Sequence, residues 1–196
     1  MRMNAMRKST AIAAVALFGW LAAASAEATT IELVPLNSPQ LVGGSFDVEI
    51  QLSGLGAGAA PSVKSFDLDV TFDPSVVSFL SITFATELGD PDTETIYGGS
   101  LAGVGVVDLF QVSLLAPLVL DGLQGSTVLL ATLHFSADVF GTSDLDFSQT
   151  LVGDGAGAPL APSPVSSSLE VIPEPSTALL VACGLLAIAG RRRPRA

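Results

Sequence analysis

The fold class is decided by residues 45–52, which read SFDVEIQL and alternate apolar with polar side chains without a break. Successive side chains of a β-strand point to opposite faces, so this pattern predicts a strand with one buried and one solvated face. The same alternation returns at residues 63–72, VKSFDLDVTF, and at residues 128–137, VLLATLHFSA. In the last stretch it predicts one buried face made of Leu129, Ala131, Leu133, Phe135 and Ala137.

Outward from these three stretches, the chain between residues 27 and 171 reads as short strands and turns. Further strands are predicted at residues 30–34, 76–83, 103–112, 145–147 and 167–171. Stretches rich in turn-forming residues separate them, at 54–61, 87–99, 117–126 and 152–164. No helix of normal length is predicted here, and residues 153–164 are interpreted as a surface loop rather than a stalk because alternation resumes at 167–171. Many short strands with one apolar face each predict an all-β sandwich.

The C-terminal residues 172–196 have a different character. Pro173, Glu174 and Pro175 precede an apolar run at residues 177–190, and a basic cluster follows, made of Arg191, Arg192, Arg193 and Arg195. Fourteen apolar residues are fewer than the roughly 20 that a bilayer crossing requires, so this short transmembrane helix needs a locally thinned bilayer or arginines that reach the interface. The arginines oppose export and are expected to keep the C-terminus in the cytoplasm.

This order of motif, apolar helix and arginines resembles the PEP-CTERM sorting signal of Gram-negative bacteria. The resemblance implies processing by an exosortase, with a transient membrane stage at the inner membrane and a final place at the cell surface or outside the cell. The alternative is an ordinary C-terminal anchor that is never cut.

The N-terminus predicts a signal peptide over residues 1–26. Arg2, Arg7 and Lys8 precede an apolar run at residues 11–24, and small residues follow at the expected cleavage site, with Ala24 and Ala26 at the recognised positions. Signal peptidase is therefore an expected partner, and the domain begins at residue 27.

The charge of the exported part excludes one class of function. Between residues 27 and 174 one basic residue, Lys64, stands against nineteen acidic ones, a net formal charge of about −18. Such a surface repels phosphate backbones, which excludes nucleic-acid binding. The single cysteine, Cys183, lies in the C-terminal apolar run, so the domain is predicted to be stabilised by burial and not by a disulfide.

A second resemblance covers residues 30–172. The stretch VGGSFDVEI at 42–50, the stretch SFDLDVTFDPSVVSF at 65–79 and the strand LLATLHFSA at 129–137 are similar to a cohesin domain. The Asp73-Pro74 turn is its most specific element, since the proline keeps Asp73 extended and the carboxylate can cap the turn. The resemblance implies a nine-stranded jelly-roll sandwich over residues 27–171, related to carbohydrate-binding modules, whose relatives bind dockerin modules through one sheet face.

Candidate chemistry in the domain is sparse. His134, the only histidine, is predicted to point outward, and no nucleophile motif accompanies it, so no catalytic residue and no enzyme activity are predicted. Asp90, Asp92 and Glu94 offer oxygen ligands at alternate positions of a loop, which suits Ca²⁺; a solvated acidic loop is the alternative. No other cofactor is predicted. Sugar binding usually uses exposed aromatic platforms, and here Tyr97 is the only tyrosine.

The resulting hypothesis is a secreted, surface-sorted, non-enzymatic adhesion or scaffolding protein of the cell envelope or exopolysaccharide matrix. The link to exopolysaccharide and biofilm is what the PEP-CTERM resemblance implies. The alternatives are a carbohydrate-binding module on extracellular polysaccharide and a dockerin-type protein-binding module.

Overall fold

The computed structural model describes residues 28–191 and shows a two-sheet sandwich followed by a helix. The elements in chain order are β1 (Thr30–Pro35), β2 (Gln40–Leu41), β3 (Ser45–Ser53), β4 (Val63–Thr71), β5 (Val77–Phe84), β6 (Thr95–Gly103), β7 (Val106–Ser113), α1 (Pro117–Leu123), β8 (Thr127–Ala137), β9 (Gly141–Asp154), β10 (Pro159–Leu160), β11 (Ser163–Val165), β12 (Ser167–Ile172) and α2 (Pro175–Arg191). Nine of these twelve strands have six residues or more, so the predicted all-β sandwich of about nine strands is confirmed.

The strands form two sheets. Sheet I has the order β11-β1-β3-β8-β5, and sheet II has the order β2-β12-β9-β4-β7-β6, with β10 paired to β9. Pairing is antiparallel except where β11 joins β1 and where β2 joins β12. Sheet II therefore contains the last strand before the C-terminal motif.

The core lies between the two inner faces and follows from the alternation of the sequence. Phe135 of β8 sits at its centre, with the rings of Phe46, Phe72 and Phe79 at centroid distances of 5.6, 5.2 and 5.9 Å. These separations suit aromatic pairing, which adds about 0.5–1.5 kcal/mol per pair beyond simple burial. Leu169 and Val171, in the strand predicted at residues 167–171, are both buried.

One predicted core position is wrong. The pairing of β8 with β3 shifts register and leaves Leu130 as an extra residue, a β-bulge. Val128 and Leu130 are consequently buried, whereas Leu129, which strict alternation places inward, points outward and is half-buried.

Three predicted turn stretches contain regular structure. β6 begins inside residues 87–99, α1 lies inside residues 117–126, and β9 continues to Asp154, far beyond the predicted strand at 145–147. The predicted loop at 153–164 is tied down by β10, which pairs with β9, and by β11, which pairs with β1.

The predicted C-terminal helix is present as α2, whose 17 residues exceed the predicted apolar run because Pro175 can occupy its first turn. Within residues 28–191 the structure contains no helix with both the length and the apolar character that a membrane crossing needs.

Candidate functional site

The outer face of sheet II carries the most unusual surface of the domain. Inward positions of β7 hold Val107, Leu109 and Gln111, so the large side chains Phe110 and Val112 point outward and are each 38% exposed. On a solvated face of an antiparallel sheet polar residues are the norm, so exposed aromatic and branched side chains here need an explanation.

Strand register brings further apolar side chains beside them. Ile96 of β6 is paired with Val112, and Asp67 of β4 lies between Phe110 and Leu151 of β9. Ile96 and Leu151 are 57% and 59% exposed. We call these four side chains, Ile96, Phe110, Val112 and Leu151, the apolar patch. A groove of about 460 Å³ is lined by Phe110, Val112 and Leu151 of this patch together with Pro159 and Leu160 of β10.

A glycine makes room for the ring of Phe110. Gly98 of β6 is paired with Phe110, and a Cβ atom at Gly98 would lie only 2.8 Å from the ring. The ring therefore covers the backbone of the neighbouring strand, a cross-strand arrangement that stabilises a glycine within a sheet. This contact fixes the orientation of the largest side chain of the patch.

Three carboxylates border the apolar patch. Asp67, Asp69 and Asp108 share the outer face, and Asp69 is the direct cross-strand partner of Asp108. Partial burial raises the pKa of Asp108, and the negative charges of Asp69 and Asp67 raise it further. Gln149 donates a hydrogen bond to Asp67 at 3.2 Å, but no basic side chain is recorded against the three carboxylates in the described part of the chain. The face thus offers apolar area flanked by uncompensated negative charge.

The outer face of sheet I is polar, and its side chains form hydrogen bonds with one another. The Nδ1–H of His134 donates a hydrogen bond to Asp47 Oδ1 at 2.6 Å, and Nε2 forms a hydrogen bond with Thr83 Oγ1 at 2.8 Å. The chain of contacts has the order of a carboxylate–histidine–hydroxyl triad, but it runs across three neighbouring strands of an open sheet face. The arrangement acts as a cross-strand ladder.

The Asp73-Pro74 turn has the geometry that its sequence predicts. Asp73 Oδ1 accepts hydrogen bonds from the backbone N–H of Ser75 at 2.8 Å and from its hydroxyl at 2.6 Å. These hydrogen bonds lower the pKa of Asp73, chiefly the one from the Ser75 hydroxyl. The turn is a structural element at the entry to β5 and lies apart from the apolar patch.

In the acidic loop that holds Asp90, Asp92 and Glu94, carboxylates accept hydrogen bonds from the loop's own backbone N–H groups. Asp90 Oδ1 accepts the N–H of Asp92 at 2.8 Å, and Glu94 Oε2 accepts the N–H of Asp90 at 3.0 Å. Residues 28–191 contain no group of three or more acidic, histidine or cysteine side chains arranged to hold a metal ion. Calcium binding at this loop stays a prediction.

The C-terminal motif follows the sandwich without a linker. Ile172 is the last residue of β12, its carbonyl accepts the N–H of Val42 at 3.0 Å, and Pro173 and Glu174 are exposed between it and α2. Of the basic cluster only the backbone of Arg191, the last residue of α2, is described. The predicted tail residues Arg192, Arg193 and Arg195, like the whole predicted signal peptide with Ala24 and Ala26, lie outside the described residues.

Comparisons with known proteins match the C-terminal motif and the sandwich domain separately. Residues 171–193 match the family model described as the PEP-CTERM protein-sorting motif. Comparison of the sequence with curated proteins finds no match.

The fold is that of cohesin modules. A cohesin module of a family 33 glycoside hydrolase from Clostridium perfringens aligns with a TM-score of 0.58 and 18% identity, covering 75% of this chain and 97% of the module. The sixth cohesin of scaffoldin B from Acetivibrio cellulolyticus, solved in complex with a dockerin, aligns with a TM-score of 0.59 and 16% identity, over 73% of this chain and 99% of that one. A non-cellulosomal cohesin from Archaeoglobus fulgidus gives 0.56 and 13%, over 78% and 97%. The chain is therefore a cohesin-like β-sandwich that ends in a PEP-CTERM protein-sorting motif.

Proposed function

We propose that this chain is an exported, non-enzymatic binding module that an exosortase processes at its C-terminus and that holds a protein partner on the outer face of sheet II. The export and processing part is supported by the sorting motif at residues 171–193. The exposed helix α2 supports a membrane stage, because its apolar side chains are covered by no other part of the described chain: Leu179, Leu180, Val181, Leu185, Leu186 and Ile188 are 57–75% exposed.

The apolar patch is the observation that favours a protein as the binding partner. Exposed aromatic and branched residues on a firm sheet are what a protein interface uses as anchors, and a charged rim sets its orientation. The Acetivibrio cellulolyticus cohesin with the same fold was solved bound to a dockerin, a protein. Because Asp67, Asp69 and Asp108 have no basic neighbour among residues 28–191, the partner should present lysine, arginine or N–H donors beside apolar side chains.

A carbohydrate ligand has weaker support. Stacking on sugars needs a flat, exposed aromatic ring, and the ring of Tyr97 instead packs against Phe84 at a centroid distance of 4.8 Å. Phe110 is partly exposed, but its ring is folded over Gly98. The role of the complex in adhesion or in scaffolding the extracellular matrix is part of the proposal.

The test compares two pairs of substitutions in otherwise identical bait proteins. Ile96→Ser with Leu151→Ser removes two exposed side chains of the apolar patch, and Leu118→Ser with Leu123→Ser removes two exposed side chains of α1. Partners captured from the native host's envelope and quantified by mass spectrometry should be lost at least tenfold with the first pair and retained with the second. Equal retention by both pairs would move the binding surface elsewhere, and enrichment of polysaccharide alone would favour the carbohydrate-binding alternative.

A further inference from the structure

The end of the sandwich from which α2 leaves carries a second, smaller apolar surface. It consists of Leu41, the last residue of β2, of Val42 directly after it, and of Val139 and Phe140 in the turn between β8 and β9. Phe140 is 67% exposed, and Val139 and Leu41 are 47% and 44% exposed. We call these four residues the apolar tip. An aromatic side chain this exposed at a tight turn contributes nothing to the core.

The sorting motif is held directly against this tip. Residues 171 and 172 pair in parallel with Gln40 and Leu41, so the chain is fixed in sheet II up to Ile172. Pro173 and Glu174 then line a groove of about 250 Å³ together with Val42, Val139 and Phe140. The only free chain between the sheet and the first residue of α2 is these two residues.

This short connection limits how far the tip can stand from α2. Consecutive Cα atoms are 3.8 Å apart, so Pro175 lies at most about 11 Å from Ile172. If α2 enters lipid, its first turn lies at the boundary between headgroups and hydrocarbon, a zone several ångströms deep. Because Pro173 and Glu174 line the same groove as Val139 and Phe140, the tip then lies within reach of that zone.

Apolar and aromatic side chains favour this zone over water. Asp138 and Glu174, which line the same groove, set the depth because carboxylates must remain among the headgroups. The resulting contact is shallow, with Phe140 reaching deepest.

We propose that the apolar tip is a membrane contact that holds the sandwich on the outer surface of the bilayer while the sorting motif awaits processing. The proposal rests on the insertion of α2 put forward above. A lipid surface suits the tip better than a second copy of the chain, because four side chains offer far less than the roughly 1,200 Å² of a stable protein interface. Against a bilayer even a weak contact forms, since α2 keeps the tip at a high effective concentration.

The chain provides its own reporters for a test. Its single tryptophan is Trp20, and its single cysteine is Cys183 within α2. Full-length Trp20→Phe protein carrying Phe140→Trp is reconstituted into phosphatidylcholine vesicles, with and without brominated acyl chains. The matched control carries Leu118→Trp on α1, which is 84% exposed and lies at the opposite end of β9, a strand of 14 residues or about 45 Å. Both substitutions are at exposed positions, so both variants should fold.

The expected result is that bromolipid quenches the tryptophan of the Phe140→Trp variant and that its emission shifts to the blue, while the tryptophan of the Leu118→Trp control behaves as in water. Insertion of α2 is measured separately, as protection of Cys183 from a membrane-impermeant maleimide. Protected Cys183 together with an unquenched tryptophan in the Phe140→Trp variant overturns the membrane contact and leaves the proposed function standing. A blue shift without bromolipid quenching means that protein covers Phe140, and it overturns the proposal as well. Unprotected Cys183 overturns both the insertion of α2 and the contact that rests on it.

Discussion

Removal of the side chain of Gln124 should destabilise the domain more than any other single change at its surface-proximal loops. Gln124 follows α1 and is 2% exposed. Its Oε1 accepts the backbone N–H of Val63 at 2.6 Å, and its Nε2 donates to the carbonyl oxygens of Val63 at 2.7 Å and Glu87 at 3.1 Å. The amide thus behaves like one residue of an additional strand beside the start of β4.

The magnitude follows from the groups that Gln124→Ala leaves behind. The N–H of Val63, a fully buried residue, loses its acceptor, which costs about 1–3 kcal/mol, and the two carbonyls each lose one donor at about 0.5–1 kcal/mol. The free energy of unfolding should therefore fall by about 2–5 kcal/mol. For a domain of this size that corresponds to roughly 6–15 °C in Tm. Urea unfolding followed by circular dichroism, with the m value checked for constancy, measures the change.

A second buried glutamine provides the control. Gln111 of β7 is fully buried and donates to Thr95 Oγ1 at 3.2 Å, but its Oε1 is the one buried side-chain polar atom among residues 28–191 without a hydrogen-bond partner. Gln111→Met keeps the volume and removes the unpaired oxygen, so the free energy of unfolding should rise by up to about 1 kcal/mol. If both substitutions destabilise by similar amounts, packing and not amide pairing determines the response, and the reasoning fails.

Four further changes have expected outcomes. Asp108→Asn should raise Tm at pH 7, because the raised pKa of Asp108 means that the folded state disfavours its carboxylate. The gain in Tm over wild type should shrink as the pH falls from above that raised pKa toward the ordinary 3.8, where the wild-type side chain is itself protonated. A difference in Tm that does not change with pH in melting scans would refute this prediction. Asp138→Asn should lower Tm at pH 7, because hydrogen bonds from Ser136 and Ser78 lower the pKa of Asp138 and stabilise the folded state above pH 3.8. The difference in Tm from wild type should disappear as the pH falls through the lowered pKa. If the acidic loop binds calcium, Ca²⁺ at 100 times its Kd should raise the free energy of unfolding by about 2.7 kcal/mol in wild type and much less in Asp90→Asn; no calcium effect in calorimetry removes that prediction. Glu174→Ala should leave the precursor uncut in its native host, as seen by mass spectrometry of both termini, and normal processing of the variant would separate the motif from the cleavage step.

The strands of the core could be predicted because each one buries a regular face. β3 alternates without interruption and β4 does so from Phe66 onward, and the buried residues of these stretches are the ones that the sequence pattern selects. The position of Leu129 could not be predicted, since the bulge at Leu130 depends on how β8 pairs with β3 and not on β8 alone.

β6 was not predicted either, because its residues also depend on contacts with other strands. Gly98 and Gly99 weaken strand propensity and are typical of turns, yet a Cβ at either position would collide with a neighbouring side chain, that of Phe110 or of Ile82. The glycines are needed by contacts with residues distant in sequence. No local pattern carries that information.

The apolar patch could have been found by reading β7 more closely. Val107 and Leu109 set the buried phase of the strand, and Gln111 continues it, so the apolar Phe110 and Val112 are out of phase with the core. A strand whose glutamine is buried and whose phenylalanine is exposed indicates a binding surface. Its partners on β6 and β9 depend on register across strands that are far apart in sequence, which only the structure provides.

The position of the apolar patch relative to the tail decides whether both can work at once. β12 leads into the sorting motif and pairs with β9 at its beginning, with Val171 opposite Gly141. Leu151 of the patch lies ten residues further along β9, a distance of roughly 33 Å at 3.3 Å per residue. A domain held at a bilayer through α2 would therefore present the patch well clear of the headgroups, on the same sheet that carries the tail. Binding of a partner and processing of the tail should for this reason be independent, so a patch variant such as Leu151→Ser should be cut at the wild-type rate; slowed cutting would place the processing enzyme on the patch itself.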